Sequence, residues 1–226
     1  MVPRILAYTI LNIKSLLKDK ISFIWAILLP MIMFLLNFQN IESEKDFIPW
    51  WVYMVLCAFI YGIGVYTLEL KEAGCLRTIF SIHYSPTAFF LGNLTTQIIF
   101  SVLSILVFDI VAGILKQFSI SHLMVYSFGT IVLCIPFAFW GHGVTLLKRL
   151  HVNSIRTIST ILIFGMFLLV GRDTMLNRYN PLYRVLDLVI NYTIEKLAGY
   201  CIFTILSFIL GGISIWRFEP NSNERR

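Results

Sequence analysis

Long apolar stretches alternate with short polar segments along almost the whole chain. A transmembrane helix needs about 20 mostly apolar residues to cross a hydrocarbon core of about 30 Å. Most of the stretches reach that length, whereas 157–171 is short and needs flanking residues or tilt. Because lipid-exposed backbone must satisfy its own hydrogen bonds, the spans are expected to be helical. The pattern therefore predicts an all-α integral membrane protein with six transmembrane helices, at residues 21–38, 48–68, 87–115, 123–147, 157–171 and 197–216.

Two further segments have helical periodicity but are not clean spans. Residues 4–19 alternate apolar and polar faces, which predicts an amphipathic helix at the inner membrane interface. Asn180 and Pro181 suit the N-cap and first position of another helix. We expect that helix, 181–195, to be re-entrant or interfacial on the outer side and to continue into the last span. Its polar stripe consists of Arg184, Asp187, Asn191 and Glu195.

The composition is that of a single membrane domain. The chain is 58% hydrophobic and only 13% charged, and a water-soluble domain of 226 residues could not bury six apolar faces. The longest segment outside the spans, 172–196, is too short for a soluble domain, so residues 1–226 are expected to form one transmembrane domain. Basic residues that flank membrane helices account for the net charge of +6, so nucleic acid is not an expected partner.

Lysine and arginine are distributed unequally between the two predicted sides of the membrane. With the N-terminus in the cytoplasm, 12 of the 18 basic residues lie on the cytoplasmic side and 6 on the outer side. Positive charge is enriched in cytoplasmic loops of membrane proteins. The distribution predicts a multi-pass protein of the cell membrane with both termini in the cytoplasm.

Two ionisable residues lie within predicted spans. Asp109 is the one carboxylate well inside a span, which makes it a functional candidate, although its nearness to the outer end favours contact with headgroups or water. His142, between Gly141 and Gly143, could line a pathway or titrate near neutral pH. A helix–helix hydrogen bond beside small neighbours is the simpler role for His142. No residue spacing indicates a catalytic, metal or cofactor site in this chain.

The predicted inner loop 69–85 has the most informative residues outside the spans. Acidic residues leave the second span, Gly74 breaks the helix, and an amphipathic segment leads to the next helix. The loop is either an ordinary connection or a docking element for a cytosolic partner. We expect Leu76, Ile79 and Phe80 to form an exposed face that needs a protein cover. The candidate docking residues are Glu69, Glu72, Gly74, Leu76, Arg77, Ile79, Phe80 and Pro86.

The inner loop resembles that of permeases of the ABC type-2 transporter family. The resemblance lies in the acidic pair, Gly74, Leu76-Arg77, Ser85-Pro86 and Gly92. The amphipathic N-terminal segment and the Asn-Pro turn before the last span are also similar to this family. The chain departs from the family pattern with Cys75 where threonine is frequent and Asn93 where lysine is frequent.

The resemblance implies the membrane permease subunit of an ATP-driven exporter. Two permease subunits, identical or homologous, would pair in the bilayer and bind two copies of an ATPase subunit. The loop 69–85 would dock into the ATPase, which would hold ATP and magnesium, because this chain has no phosphate-binding loop. The cargo would be an amphipathic or hydrophobic peptide, toxin, drug or lipid, and the membrane a bacterial plasma membrane. The candidate pathway or gate residues are Asp109, His142, Pro181, Arg184 and Asp187.

Two functions of other classes remain open. One is a secondary carrier or channel driven by an ion gradient through Asp109 or His142. The other is a non-transporting membrane protein, such as an immunity or assembly protein that sequesters its ligand. Co-purification with an ATPase distinguishes the exporter from both, and ion-dependent uptake without ATP favours the carrier.

Overall fold

The computed structural model describes residues 1–18, 20–147, 151–170 and 174–220, with the side chains of all of these except 18 and 20–26. Every regular element in these ranges is helical, which confirms the all-α class. A π-helical segment, Ile60–Val65, joins α3 to α4, and short 3-10 turns lie in several connections. The helices are α1 Val2–Lys18, α2 Lys20–Leu36, α3 Ile48–Phe59, α4 Tyr66–Glu72, α5 Cys75–Ile82, α6 Pro86–Lys116, α7 Ile120–Gly143, α8 Val152–Val170, α9 Pro181–Ile190 and α10 Ile194–Trp216.

Five helical segments among the described residues are long and apolar enough to cross a membrane, which is compatible with a multi-pass membrane protein. The first predicted span, 21–38, is different, because α2 has only 17 residues. At 1.5 Å per residue, α2 is shorter than the hydrocarbon core. The five segments are Glu44–Glu72, Pro86–Lys116, Ile120–Leu146, Val152–Val170 and Ile194–Trp216.

The long helices run between two ends of a bundle. At one end Glu72 accepts a hydrogen bond from the backbone nitrogen of Val152, which joins the end of α4 to the start of α8. At the other end Lys196 binds Asp187 at 2.7 Å, which joins the start of α10 to α9. We call these the α5 end and the α9 end, after the short helix that each contains.

The second span changes its helical winding where it crosses two neighbours. Gly62 and Gly64 lie in the π-helical segment. A Cβ on Gly62 would lie 2.1 Å from the side chain of Gln97 in α6, and a Cβ on Gly64 would lie 2.3 Å from the carbonyl oxygen of Gly141 in α7. The glycines therefore allow three helices to approach closely at this level. Short π-helical segments frequently occur at functional sites.

The helices near residues 152–170 and 181–195 have bounds that differ from the predicted ones. The helix predicted at 181–195 ends at Ile190, and α10 starts separately at Ile194 with Thr193 as its N-cap. Threonine and asparagine side chains compete with helical backbone hydrogen bonds, which favours a break at residues 191–193. The span predicted at 157–171 was expected to need flanking residues or tilt, and α8 has such residues, because it begins at Val152 and is 19 residues long.

Candidate functional site

The helix α5 forms because Gly74 ends α4 and redirects the chain. Gly74 has a φ of 74°, in the left-handed region that glycine adopts without strain, and its nitrogen donates to the Lys71 carbonyl at 3.1 Å. No atom lies within 4 Å of a Cβ built on Gly74, so the backbone conformation, and not space, calls for glycine here. The predicted helix break at Gly74 is therefore confirmed.

The apolar face of α5 is buried by the chain itself, so the expectation of an exposed face is wrong. Leu76 is 0% exposed and Phe80 is 6% exposed, and both pack with Phe89 of α6 and Phe218 beyond α10. The ring centres of Phe80 and Phe218 are 5.8 Å apart. The Tyr84 hydroxyl donates to the Phe218 carbonyl at 2.6 Å, which holds the segment after α10 against α5.

The outward side of α5 is polar with one large apolar residue. Arg77, Thr78 and Ser81 are exposed, and Ile82 is 86% exposed. Ile79, predicted to share the docking face, is only partly exposed. Any partner that docks on α5 therefore meets this outward side, not the Leu76–Phe80 side.

The acidic pair is engaged within the chain. Glu69 forms an ion pair with Arg156 of α8. Glu72 accepts from the Val152 nitrogen at 3.1 Å, where a carboxylate stabilises the free N–H groups at a helix start. The two glutamates thus fix the start of α8 beside α4. Pro86, predicted to begin the next helix, is the first residue of α6.

The helix α1 packs on the bundle through its polar face. The Asn12 amide donates to Asn93 of α6, whose own amide donates to Thr67 of α4 at 3.3 Å. Thr9 donates to the Gly92 carbonyl at 3.4 Å, and a Cβ on Gly92 would lie 2.5 Å from Tyr8. The apolar residues of α1 point outward instead and include Leu6, Ile10 and Leu17. Sequence reasoning missed this buried network, although Asn93 within an apolar run is a signal of it.

Asp109 lies inside the bundle near the α9 end, so the expected contact with headgroups or water is wrong. Asp109 is only 1% exposed, and its Oδ1 accepts a hydrogen bond from the Trp51 indole at 2.7 Å. Its Oδ2 has no hydrogen-bond partner among the described residues. Phe47, Trp51 and Phe108 form an aromatic cluster here, with Phe47 and Phe108 ring centres 5.8 Å apart.

His142 forms a helix–helix hydrogen bond near the α5 end. Its Nδ1 lies 2.7 Å from the Ser214 hydroxyl of α10, and the residue is completely buried. A Cβ on Gly141 would lie 2.7 Å from the Phe59 carbonyl oxygen, and a Cβ on Gly143 would lie 2.9 Å from the Leu210 side chain. These small neighbours allow the close approach expected from the sequence. The Nε2 atom has no hydrogen-bond partner in the described part of the chain.

The Asn-Pro turn before α9 caps two helices. The Asn180 side chain accepts from the Leu182 nitrogen at 3.0 Å and donates to the Met166 carbonyl of α8 at 2.8 Å. Asn177 donates to the Leu169 carbonyl at 3.0 Å. The predicted N-cap at Asn180 and the first helical position at Pro181 are confirmed.

The polar side of α9 holds an ion pair with α10. Partial burial alone would raise the pKa of Asp187, but hydrogen bonds from Lys196 and Asn191 and the Lys196 charge hold that pKa below its usual value. Arg184 is exposed, and its Nε donates to the Arg178 carbonyl at 3.0 Å. Arg184 and Asp187 therefore bind different partners, although they share the predicted stripe.

A cavity of about 640 Å³ lies at the α5 end, between α4, the turn after α7 and the end of α10. Its wall includes Lys71, Ser214 and Arg217. Sequence reasoning did not predict this cavity, because its wall comes from three distant parts of the chain. The only signal of the cavity in the sequence is Lys71, a basic residue between Glu69 and Glu72.

The α5 end thus holds the outward side of α5 and the cavity, while Asp109 and α9 belong to the opposite end. Comparisons of the chain with protein-family models, curated proteins and solved structures give no match.

Proposed function

We propose that this chain is the permease subunit of an ATP-driven ABC exporter that moves an amphipathic or hydrophobic cargo. Two permease subunits would pair in a bacterial plasma membrane, each bound to one ATPase subunit that carries ATP and magnesium. In this arrangement α2 completes a set of six spans, and both termini lie in the cytoplasm with the α5 end.

The outward side of α5 is the observation that carries the proposal. A short amphipathic helix between two apolar helices has its own apolar face buried and presents Arg77, Thr78 and Ile82 away from the bundle. An isoleucine that is 86% exposed on the same short helix as an exposed arginine is suited to a partner surface with an apolar pocket and an acidic rim.

Contacts behind α5 supply a route for motion. Phe80 packs against Phe89 of α6 and Phe218 beyond α10, so a push on α5 acts on two long helices at once. Glu69 and Glu72 connect the same region to α8. ATP-driven closure of the ATPase pair would then move these helices as packed bodies.

A pull-down in mild detergent tests the proposal. The tagged protein is expected to retain an ATP-hydrolysing subunit that contains a phosphate-binding loop. The variant Arg77→Glu with Ile82→Asp should lose that subunit and remain membrane-inserted, because both residues are exposed. Arg178→Glu, an exposed charge reversal at the α9 end, is the matched control and should retain it. Equal retention by both variants would exclude α5 as the docking helix.

An ion-coupled carrier or channel is the second candidate function. Buried polar atoms without partners are uncommon and mark functional sites, and Asp109 Oδ2 and His142 Nε2 are two such atoms among the described residues. Vesicles that contain this chain alone, with a proton or sodium gradient and no ATP, test this candidate. Gradient-driven uptake that Asp109→Asn or His142→Gln abolishes would favour it over the exporter.

A further inference from the structure

The cavity at the α5 end has the size of a small-ligand site. Its volume of about 640 Å³ falls within the range of about 300–1,000 Å³ that is typical of such sites. The cavity lies between three parts of the chain, because α4, the turn after α7 and the end of α10 each supply part of its wall. A ligand in this position would contact all three.

The charged part of the wall is basic on balance. Lys71 is only 3% exposed, although lysine is rarely buried in proteins. Arg217 adds a second cation, and Glu219 is the one carboxylate among the described lining residues. Ser214 is also a lining residue, but its hydroxyl is bonded to His142 and to the Gly211 carbonyl. An anionic group is the charge that this wall favours.

Apart from Thr145, the remaining part of the wall is apolar, and it lies at a membrane-interface position. Leu146, Trp216 and Phe218 line the cavity. Trp216 ends the last membrane-spanning candidate, and a tryptophan followed by an arginine is typical of the headgroup level of a bilayer. An anionic head with an attached apolar chain matches both parts of the wall.

We propose that this cavity binds the phosphate group of an anionic amphiphile. Lys71 and Arg217 hold the phosphate, and Leu146 and Phe218 contact the first part of the apolar chain. Basic pockets between membrane helices recognise anionic headgroups in this way. Because Phe218 also packs on Phe80, an occupied cavity fixes α5 against α10 whatever the protein transports.

Lipid titration of the purified protein in uncharged detergent tests the proposal. Dioleoylphosphatidylglycerol is expected to form a one-to-one adduct in native mass spectrometry and to raise the thermal unfolding midpoint, whereas dioleoylphosphatidylcholine should do neither. Lys71→Met and Arg217→Gln should each weaken phosphatidylglycerol binding about fivefold, as expected for about 1 kcal/mol per cation. Lys14→Gln removes an exposed cation from α1 and is the matched control.

Two soluble compounds identify the source of the phosphate. If inorganic phosphate or glycerol 1-phosphate raises the midpoint as the lipid does, the site accepts a free phosphate; if only the lipid does, the site requires the chain. Equal stabilisation by the two lipids, or equal weakening in Lys14→Gln, would overturn the proposal. Arg217 is exposed, so Arg217→Gln carries the test alone if the Lys71 variant does not fold.

Discussion

The short helices α5 and α9 are similar in sequence pattern but are held in different ways. Both are amphipathic, with 8 and 10 residues, and both bury an apolar face on the bundle. The start of α9 is fixed by Asn180, which bonds to backbone atoms of two helices. The start of α5 has no side-chain cap, and its apolar face rests on Phe89 and Phe218.

The two kinds of contact differ in how much change of position they tolerate. Hydrogen bonds to backbone atoms are directional and lose strength steeply with a change of angle. Apolar burial is non-directional and depends on area, so packed rings tolerate a shift of position. The start of α9 is therefore held by the more directional contacts, and we expect the apolar contacts of α5 to tolerate a larger shift of position than the cap of α9 does.

The largest expected effect comes from removing the aromatic support of α5. Phe80→Ala leaves a cavity beside Phe89 and Phe218 and should lower the free energy of unfolding by about 3 kcal/mol. Ile82→Ala, two residues away and exposed, should change it by less than about 0.5 kcal/mol. Thermal unfolding of both variants in the same detergent checks this pair. Equal midpoints would mean that α5 is not supported by its buried face.

A smaller effect is expected from removing the cap of α9. Asn180→Ala deletes the acceptor for the Leu182 nitrogen and the donor to the Met166 carbonyl, a loss of about 2 kcal/mol. Hydrogen exchange should accelerate in the first turn of α9 and in the last turn of α8. Asn191→Ala, at the exposed end of α9, is the control and should leave both turns protected. Unchanged exchange in Asn180→Ala would remove the distinction between α9 and α5.

The smallest effect is expected from the ion pair between α9 and α10. The pKa of Asp187 lies below its usual value in the folded protein, so its stabilisation is present above about pH 4 and is lost as the pH falls through the folded pKa. Asp187→Asn should cost about 0.5 kcal/mol at pH 7, because the pair is partly exposed. Unfolding curves from pH 7 to pH 3 should converge for parent and variant. Glu42→Gln, at an exposed carboxylate outside the helices, should follow the parent throughout, and a pH-independent gap for Asp187→Asn would contradict this assignment.

The sequence predicts the elements better than the contacts between them. Apolar runs in the sequence locate the long helices. Gly74 marks the break between α4 and α5, and Asn180 and Pro181 mark the start of α9. These signals can be read from the sequence because each acts over only a few residues. The predicted end of the first span at Phe38 is two residues too late, since α2 ends at Leu36, directly before the polar Asn37.

The inward faces of α1 and α5 could not be predicted in the same way. Periodicity defines two faces of a helix but does not say what covers each of them. Asn12 meets Asn93, and Phe80 meets Phe218, across long stretches of chain. The bond between Trp51 and Asp109 is equally distant in sequence. Such pairs depend on the three-dimensional arrangement of whole helices.

The π-helical segment of the second span has a consequence for how this protein can vary in length. A hydrogen-bonded turn of π-helix contains one residue more than a turn of α-helix. The π-helical segment therefore accommodates an extra residue, and the side chains of α3 and α4 keep the same orientation relative to each other. Loss of one residue within 60–65 that leaves Gly62 and Gly64 opposite Gln97 and Gly141 would give a regular α-helix with Glu69 still directed at Arg156. Loss of one residue from α6 would instead rotate everything beyond it by about 100°. Natural length differences among relatives of this chain are therefore expected at 60–65 in this span, where evolution can add or remove a residue without rebuilding the bundle.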